Sequence, residues 1–174
     1  MAHKEQKEYC NKIRANYPEN FNKVLALDCG SLDINGNNRY LFTDSIVIGV
    51  DLIIGKNVDL VSNTKNVSFR DNYFDTIIST EMLEHDSTWY LSIQNMIRML
   101  KPSGLLLLTM ATDGRNEHGT ENHNPEDSPA TNDYYQNLTE KQIRAAINIE
   151  ASFKEYAFEV NINSHDLYFF GIKR

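Results

Sequence analysis

Phe74-Asp75-Thr76-Ile77-Ile78-Ser79-Thr80-Glu81-Met82-Leu83-Glu84-His85 is the stretch on which the fold is decided. Phe74 to Ser79 reads as a short buried strand that ends in polar residues. Beyond it, Trp89, Ile93, Met96, Ile97 and Leu100 share one face at 3.6-residue spacing, a helix that Asp86 or Ser87 can cap. Lys101-Pro102-Ser103-Gly104 then announces a second apolar run, Leu105-Leu106-Leu107-Leu108-Thr109. Short apolar strands alternating with helices imply a mainly parallel sheet covered on both faces.

The pattern extends in both directions. Upstream, Val24-Leu25-Ala26-Leu27 runs into Asp28-Cys29-Gly30, Ile46-Val47-Ile48-Gly49-Val50 ends in Asp51, and a weaker run spans Val58 to Val61. Asn35 to Phe42 is expected to form a helix. Tyr9, Ile13 and Tyr17 recur every four residues, which predicts an N-terminal helix within residues 1–17 that stops before Pro18. Downstream, Thr139-Glu140-Lys141-Gln142 is a capping box with Ile143, Ala146 and Ile147 behind it. At the end, Tyr156, Phe158, Val160 and Ile162 alternate with Ala157, Glu159 and Asn161, and Leu167 to Ile172 follows Asn163-Ser164, which predicts an antiparallel strand pair. The expected architecture is one α/β domain over residues 1–174. It is a Rossmann-like, doubly wound, mainly parallel sheet with a C-terminal antiparallel strand pair and helices on both faces.

Composition narrows the function. Seventeen Lys and Arg against twenty-four Asp and Glu give a formal charge of −7. Clustered basic residues, which a phosphate backbone needs, are missing, so nucleic acid is not an expected partner. An acidic surface also repels anionic lipid, no apolar run approaches the roughly 18 residues of a membrane span, and no membrane partner is expected. The start Met1-Ala2-His3-Lys4-Glu5 is too polar for a signal peptide. Cys10 and Cys29 cannot build a disulfide framework; Cys29 reads as a core residue, and a reduced cytosol is the expected compartment.

In open parallel sheets ligands bind at the carboxyl ends of the strands. Gly30 closes one strand, where a missing Cβ lets backbone approach a ligand. Asp51 closes the next, 21 positions later. An acidic residue about 20 positions beyond such a turn can accept both hydroxyls of a ribose. A phosphate-cradling loop needs Gly-Lys-Ser/Thr, but Gly36 is followed by Asn37-Asn38. A dinucleotide fingerprint needs further glycines where Leu32 and Asp33 stand, and Asp33 repels a pyrophosphate. A ligand with a ribose and no phosphate remains.

At this point the sequence resembles a family. Val24 to Gly30, Ile48-Gly49-Val50-Asp51, Phe74 to His85, and Met96-Ile97-Arg98-Met99-Leu100-Lys101-Pro102-Ser103-Gly104 with the leucines after it look like the ordered motifs of the class I S-adenosylmethionine-dependent methyltransferases, in their small single-domain, type 11-like branch. The resemblance implies S-adenosylmethionine as cofactor. It places Asp28, Gly30 and Ser31 along the methionine part, Asp51 on the ribose, Leu52 on the adenine, Asn63 and Thr64 at the adenine edge, and Ser79, Thr80 and Glu81 at the end of the fourth strand. Two departures stand out. The glycine-rich loop is degraded to Gly30-Ser31-Leu32-Asp33-Ile34-Asn35-Gly36, and Asn63 replaces the usual Asp.

The acceptor side is expected in residues 110–137, a long polar stretch after the fifth strand, where loops of this length are usually functional or disordered. His118 is a candidate base for an acceptor hydroxyl, and His85 a second one, although Glu84-His85 also fits as the turn into the next helix. His118 and His123, five residues apart, could hold a metal with nearby carboxylates, but no cysteine pair accompanies them and no metal is assigned. The expected function is methyl transfer to a small polar acceptor, with an oxygen of a sugar or similar metabolite favoured. The alternative is a non-catalytic S-adenosylmethionine-binding or vestigial module.

Overall fold

The computed structural model describes residues 3–174; Met1 and Ala2, the first residues of the polar start, lie outside the described residues. Strands β1 (Leu25–Cys29), β2 (Ile46–Asp51), β3 (Leu60–Val61), β4 (Phe74–Thr80), β5 (Leu100–Ala111), β6 (Phe153–Asn161) and β7 (Asp166–Lys173) form one sheet in the order β3-β2-β1-β4-β5-β7-β6. The first five pair in parallel, and β7 runs antiparallel to both β5 and β6. The strand order reverses between β1 and β4, which places the ligand crevice outside their carboxyl ends.

The leucine run of β5 shows why this sheet needs helices on both sides. Successive strand residues face opposite ways. Leu105 and Leu107 join Ile78, Tyr168 and Ile172 against Tyr9, Cys10 and Ile13 of α1 (Lys4–Asn16). Leu106 and Leu108 join Leu27, Ile77 and Phe169 against Trp89, Ile93, Met96 and Met99 of α2 (Trp89–Met99) and Ile143 of α3 (Glu140–Ala146). Truncating any of these leucines to Ala costs about 2–5 kcal/mol. The capping box at Thr139 forms as expected, and a short α4 (Ile149–Ser152) leads into β6. Asp86 steadies the start of α2 by accepting from the Thr88 N–H at 2.8 Å and the Ser92 hydroxyl at 2.5 Å.

Three expectations need correction. Asn35 to Phe42 is not a helix; only a 3₁₀ turn at Arg39–Leu41 forms. Asp33 accepts from the Gly36 N–H and the Asn37 side chain, and such local bonds compete with a helix. The weak third run shrinks to Leu60–Val61, and Val58 instead closes a turn, its N–H donating to the Gly55 carbonyl at 3.2 Å. The fifth strand begins at Leu100 rather than Leu105, with Leu100 paired to Phe74 across a register shift. Among the described residues no helix is long and apolar enough to cross a membrane.

Candidate functional site

A cavity of about 300 Å³ opens at the switch point. Its walls come from the ends of β1, β2 and β4 and from the loop after β5. Gly30, with φ +80°, turns the chain over Met82, where a Cβ would lie 2.6 Å from the Met82 Cβ. Any side chain there would therefore collide with the turn after β4. The Gly30 and Ser31 N–H groups both donate to the Val50 carbonyl, at 2.9 and 3.1 Å. The ends of β1 and β2 are locked together by those bonds.

Asp51 sits on this lock. Its Oδ2 accepts from the Leu32 N–H at 3.0 Å and its Oδ1 from the Leu52 N–H at 2.7 Å. Each carboxylate oxygen has two lone pairs, so both can accept a further hydroxyl while the carboxylate stays fixed. Leu32 and Ile34 line the cavity without filling it. Leu32 packs over Gly55 instead, where a Cβ would lie 2.3 Å from its Cδ1. Asp33 is matched by Lys56 at 2.7 Å, and it organises the degraded loop at the rim.

Asp28 is buried at the opposite wall. Burial pushes its carboxyl up to about 6, against the pull of the hydrogen bond from Asn38. Asn38 Nδ2 donates to Asp28 Oδ1 at 2.9 Å and contacts Thr80 Oγ1 at 3.0 Å, while Asp28 Oδ2 has no partner. Sequence reasoning missed Asn38; a lone Asn in an irregular loop carries no signal of this contact. Asn63 spends its Oδ1 on the Lys65 N–H, so its amide nitrogen is the group left for a ligand.

Of the expected residues, Asp28, Gly30, Ser31, Asp51, Leu52, Asn63, Thr64, Thr80, Glu81 and His85 all line the cavity. Ser79 does not; it is fully buried within the sheet. His118 does not either, and stands behind His85 with ring centres 5.1 Å apart in an edge-to-face contact. The loop after β5 closes over the cavity with Ser128, Pro129, Thr131 and Tyr134. Tyr135 packs on both histidine rings, as an anchor for this loop would. His123 lies apart, exposed, 3.6 Å from Glu117.

Two charged clusters border the acceptor end. In the first, Asp166 accepts from Arg115 at 2.9 Å and pairs with His3 at 3.1 Å, and Glu81 Oε1 accepts from Thr109 at 2.9 Å. Burial alone lowers the His3 pKa, but the carboxylates of Asp166, 3.1 Å away, and Glu81, 3.7 Å away, overcome it and raise it to about 10. In the second, Glu84 is fully buried and neither of its carboxylate oxygens has a partner. Burial, then the neighbouring Glu81, pushes its carboxyl well above the usual carboxylate range. Burial, then His118, pushes His85 down to about 3.

Residues 46–108 match the methyltransferase domain family. The architecture agrees with the match. It is similar to 1,6-didemethyltoxoflavin-N1-methyltransferase of Burkholderia thailandensis, crystallised with S-adenosylhomocysteine, at TM-score 0.67 and 14% identity over 97% of this chain and 77% of that one. The fold is that of the class I methyltransferases. It is also similar to phosphoethanolamine N-methyltransferase 2 of Haemonchus contortus, crystallised with S-adenosyl-L-methionine, at TM-score 0.65 and 17% identity over 95% of this chain and 52% of that one. The YcgJ protein of Bacillus subtilis aligns at TM-score 0.63 and 14% identity over 96% of this chain and 99% of that one. The curated proteins contain no match to the chain. Within this methyltransferase fold the cavity occupies the switch-point crevice, and the two charged clusters lie beyond the end of β4.

Proposed function

We propose that this protein binds S-adenosylmethionine and transfers its methyl group to a small polar acceptor, with an oxygen atom as nucleophile. The observation that carries the reading is Asp51, held by two backbone N–H groups at the end of β2 and lining the cavity. A carboxylate so fixed suits a pair of ribose hydroxyls, and among the described residues no Lys or Arg lines the cavity to meet a phosphate. The cavity volume matches the low end of small-ligand sites, about 300–1,000 Å³.

In this reading Leu52 packs on the adenine, and Asn63 and Thr64 meet its edge. Gly30 and Ser31 pass the methionine chain, whose ammonium meets the unpartnered Oδ2 of Asp28. Thr80 and Glu81 line the path toward the acceptor. Methyl transfer is an in-line displacement, so holding the acceptor oxygen behind the methyl carbon supplies most of the rate. The ring of His85 stands at the acceptor end, but with its pKa near 3 it is a weak base, and positioning outweighs proton removal. The acidic surface disfavours nucleic acid and anionic membranes as partners, and the two free buried cysteines suit a reduced compartment such as the cytosol.

Calorimetric titration with S-adenosylmethionine and with S-adenosylhomocysteine tests the cofactor. Both are expected to bind, and Asp51→Ala to weaken them on the order of 100-fold, the worth of two hydrogen bonds to a charged group. Methyl-labelled cofactor, incubated with hydroxyl-bearing small molecules, then tests transfer. Binding without any transfer would favour the non-catalytic module, and no binding at millimolar cofactor would overturn the whole reading.

A further inference from the structure

Glu84, His85 and His118 are 0%, 6% and 9% exposed, and one ligand atom from each lies within 4.8 Å of the other two. Both oxygens of Glu84, Nδ1 of His85 and Nε2 of His118 have no hydrogen-bond partner. The remaining contact of the His118 ring fixes which of its nitrogens is bare. His118 Nδ1 lies 3.1 Å from the Asn116 carbonyl, which accepts the ring proton there and leaves the Nε2 lone pair open. On His85 the nitrogen without a partner is Nδ1. Imidazoles that ligate metals characteristically give their other N–H to a carbonyl or carboxylate, because that orients the ring and raises its basicity.

The surroundings are built to bring these groups together. Glu84 and His85 are adjacent in the tight 3₁₀ turn Leu83–His85, whose following residue, Asp86, holds the start of α2. Gly119, at φ +62°, brings the loop so close that a Cβ there would lie 2.7 Å from His85 Cε1. Tyr135 closes the other side against both rings.

We propose that Glu84, His85 and His118 bind one divalent first-row transition-metal ion. Two imidazoles and one carboxylate suit zinc, manganese, cobalt or iron(II) better than calcium or magnesium, which prefer oxygen ligands alone. Three protein ligands leave coordination positions open, as catalytic sites do. His85 also lines the cavity, so an open position borders its acceptor end. The metal pair considered from sequence spacing, His118 with His123, is replaced by one in which His123 has no part. The use of the ion rests on the methyl transfer proposed above. A coordinated acceptor hydroxyl loses its proton to water more readily. Its oxygen then forms the bond to the methyl carbon while the carbon–sulfur bond breaks, and that electron pair stays on sulfur as the thioether.

The ion itself is tested without cofactor. Chelator-stripped full-length protein is titrated with Zn²⁺ and with Mn²⁺ alone, and with Co²⁺ while its visible absorption is recorded. One ion per chain is expected, with a cobalt spectrum of nitrogen and oxygen ligation. Glu84→Gln and His118→Ala are each expected to weaken binding at least tenfold, and His123→Ala to leave it unchanged. Circular dichroism checks that the variants fold, and if they do not, the cobalt spectrum of the unsubstituted protein decides. Absent or millimolar binding, a spectrum with oxygen ligands only, or equal loss in His123→Ala would overturn the proposal. Because S-adenosylhomocysteine binding is measured separately, failure of the metal site and failure of the cofactor reading are told apart.

Discussion

The two charged clusters at the end of β4 begin three residues apart in sequence, at Glu81 and Glu84, yet they obey opposite rules. Both carboxylate oxygens of Asp166 are matched: Arg115 and His3 supply positive charge, and Tyr168 donates at 3.1 Å, while Glu81 Oε2 beside them faces the His3 ring at 3.7 Å. Around Glu84 no oxygen is matched, and the neighbours are two imidazoles kept neutral by burial. The first cluster fastens the start of α1 to the edge of β7. The second has no such structural product, and burying an unpaired carboxylate is costly. Matched buried charge maintains a fold, whereas unmatched buried charge marks a place where a cation or proton is still to arrive.

The largest test of that contrast is a pair of substitutions in metal-free protein. Asp166→Asn strands Arg115 and His3 and is expected to cost about 3–5 kcal/mol in urea unfolding, while Glu84→Gln should be neutral or stabilising. Equal destabilisation by both would erase the distinction. Next, Gly119→Ala forces a positive φ and a clash with His85, with an expected cost of about 1–2 kcal/mol and loss of the loop's grip on the second cluster. Limited proteolysis of residues 112–137 would show it.

A smaller effect comes from pH. The folded pKa of His3 is raised from 6.5 to about 10, so its contribution is complete below pH 6.5 and is lost as pH rises through 10. Partial exposure limits it to about 1 kcal/mol. The melting midpoint should fall over this window, and His3→Gln should flatten the fall. The smallest prediction concerns Asp28, whose pKa is raised to about 6. Protonation below pH 6 removes the charge that meets the ligand ammonium, so cofactor affinity should drop severalfold between pH 7 and 5. An unchanged affinity would remove Asp28 from the site.

Much of this fold is legible in the sequence because its central strands are buried on both faces. Val24 to Leu27 and Leu105 to Leu108 carry no polar residue to confuse their reading, Gly30 follows the first run by three positions, and Asp51 directly follows Ile46 to Val50. The helix expected over residues 35–42 fails for a local reason: Asp33, Gly36 and Asn37 satisfy one another in a turn, and periodicity cannot see that competition. The second cluster is invisible for a different reason. Glu84 and His118 are brought together only by the return of the chain along β5 and by the room left at Gly119. No spacing rule reports a contact made by a loop folding back: His118 and His123 are five residues apart in sequence, whereas His118 meets Glu84 only in the fold.

The central claim is that Asp51 grips a phosphate-free nucleoside by its sugar. A crystal structure with S-adenosylhomocysteine tests it most directly. Both ribose hydroxyls should lie within hydrogen-bond distance of the Asp51 carboxylate, with the amino-acid end directed at Asp28. A nucleoside seated elsewhere, or an Asp51 that keeps only the Leu32 and Leu52 N–H groups as partners, would contradict it.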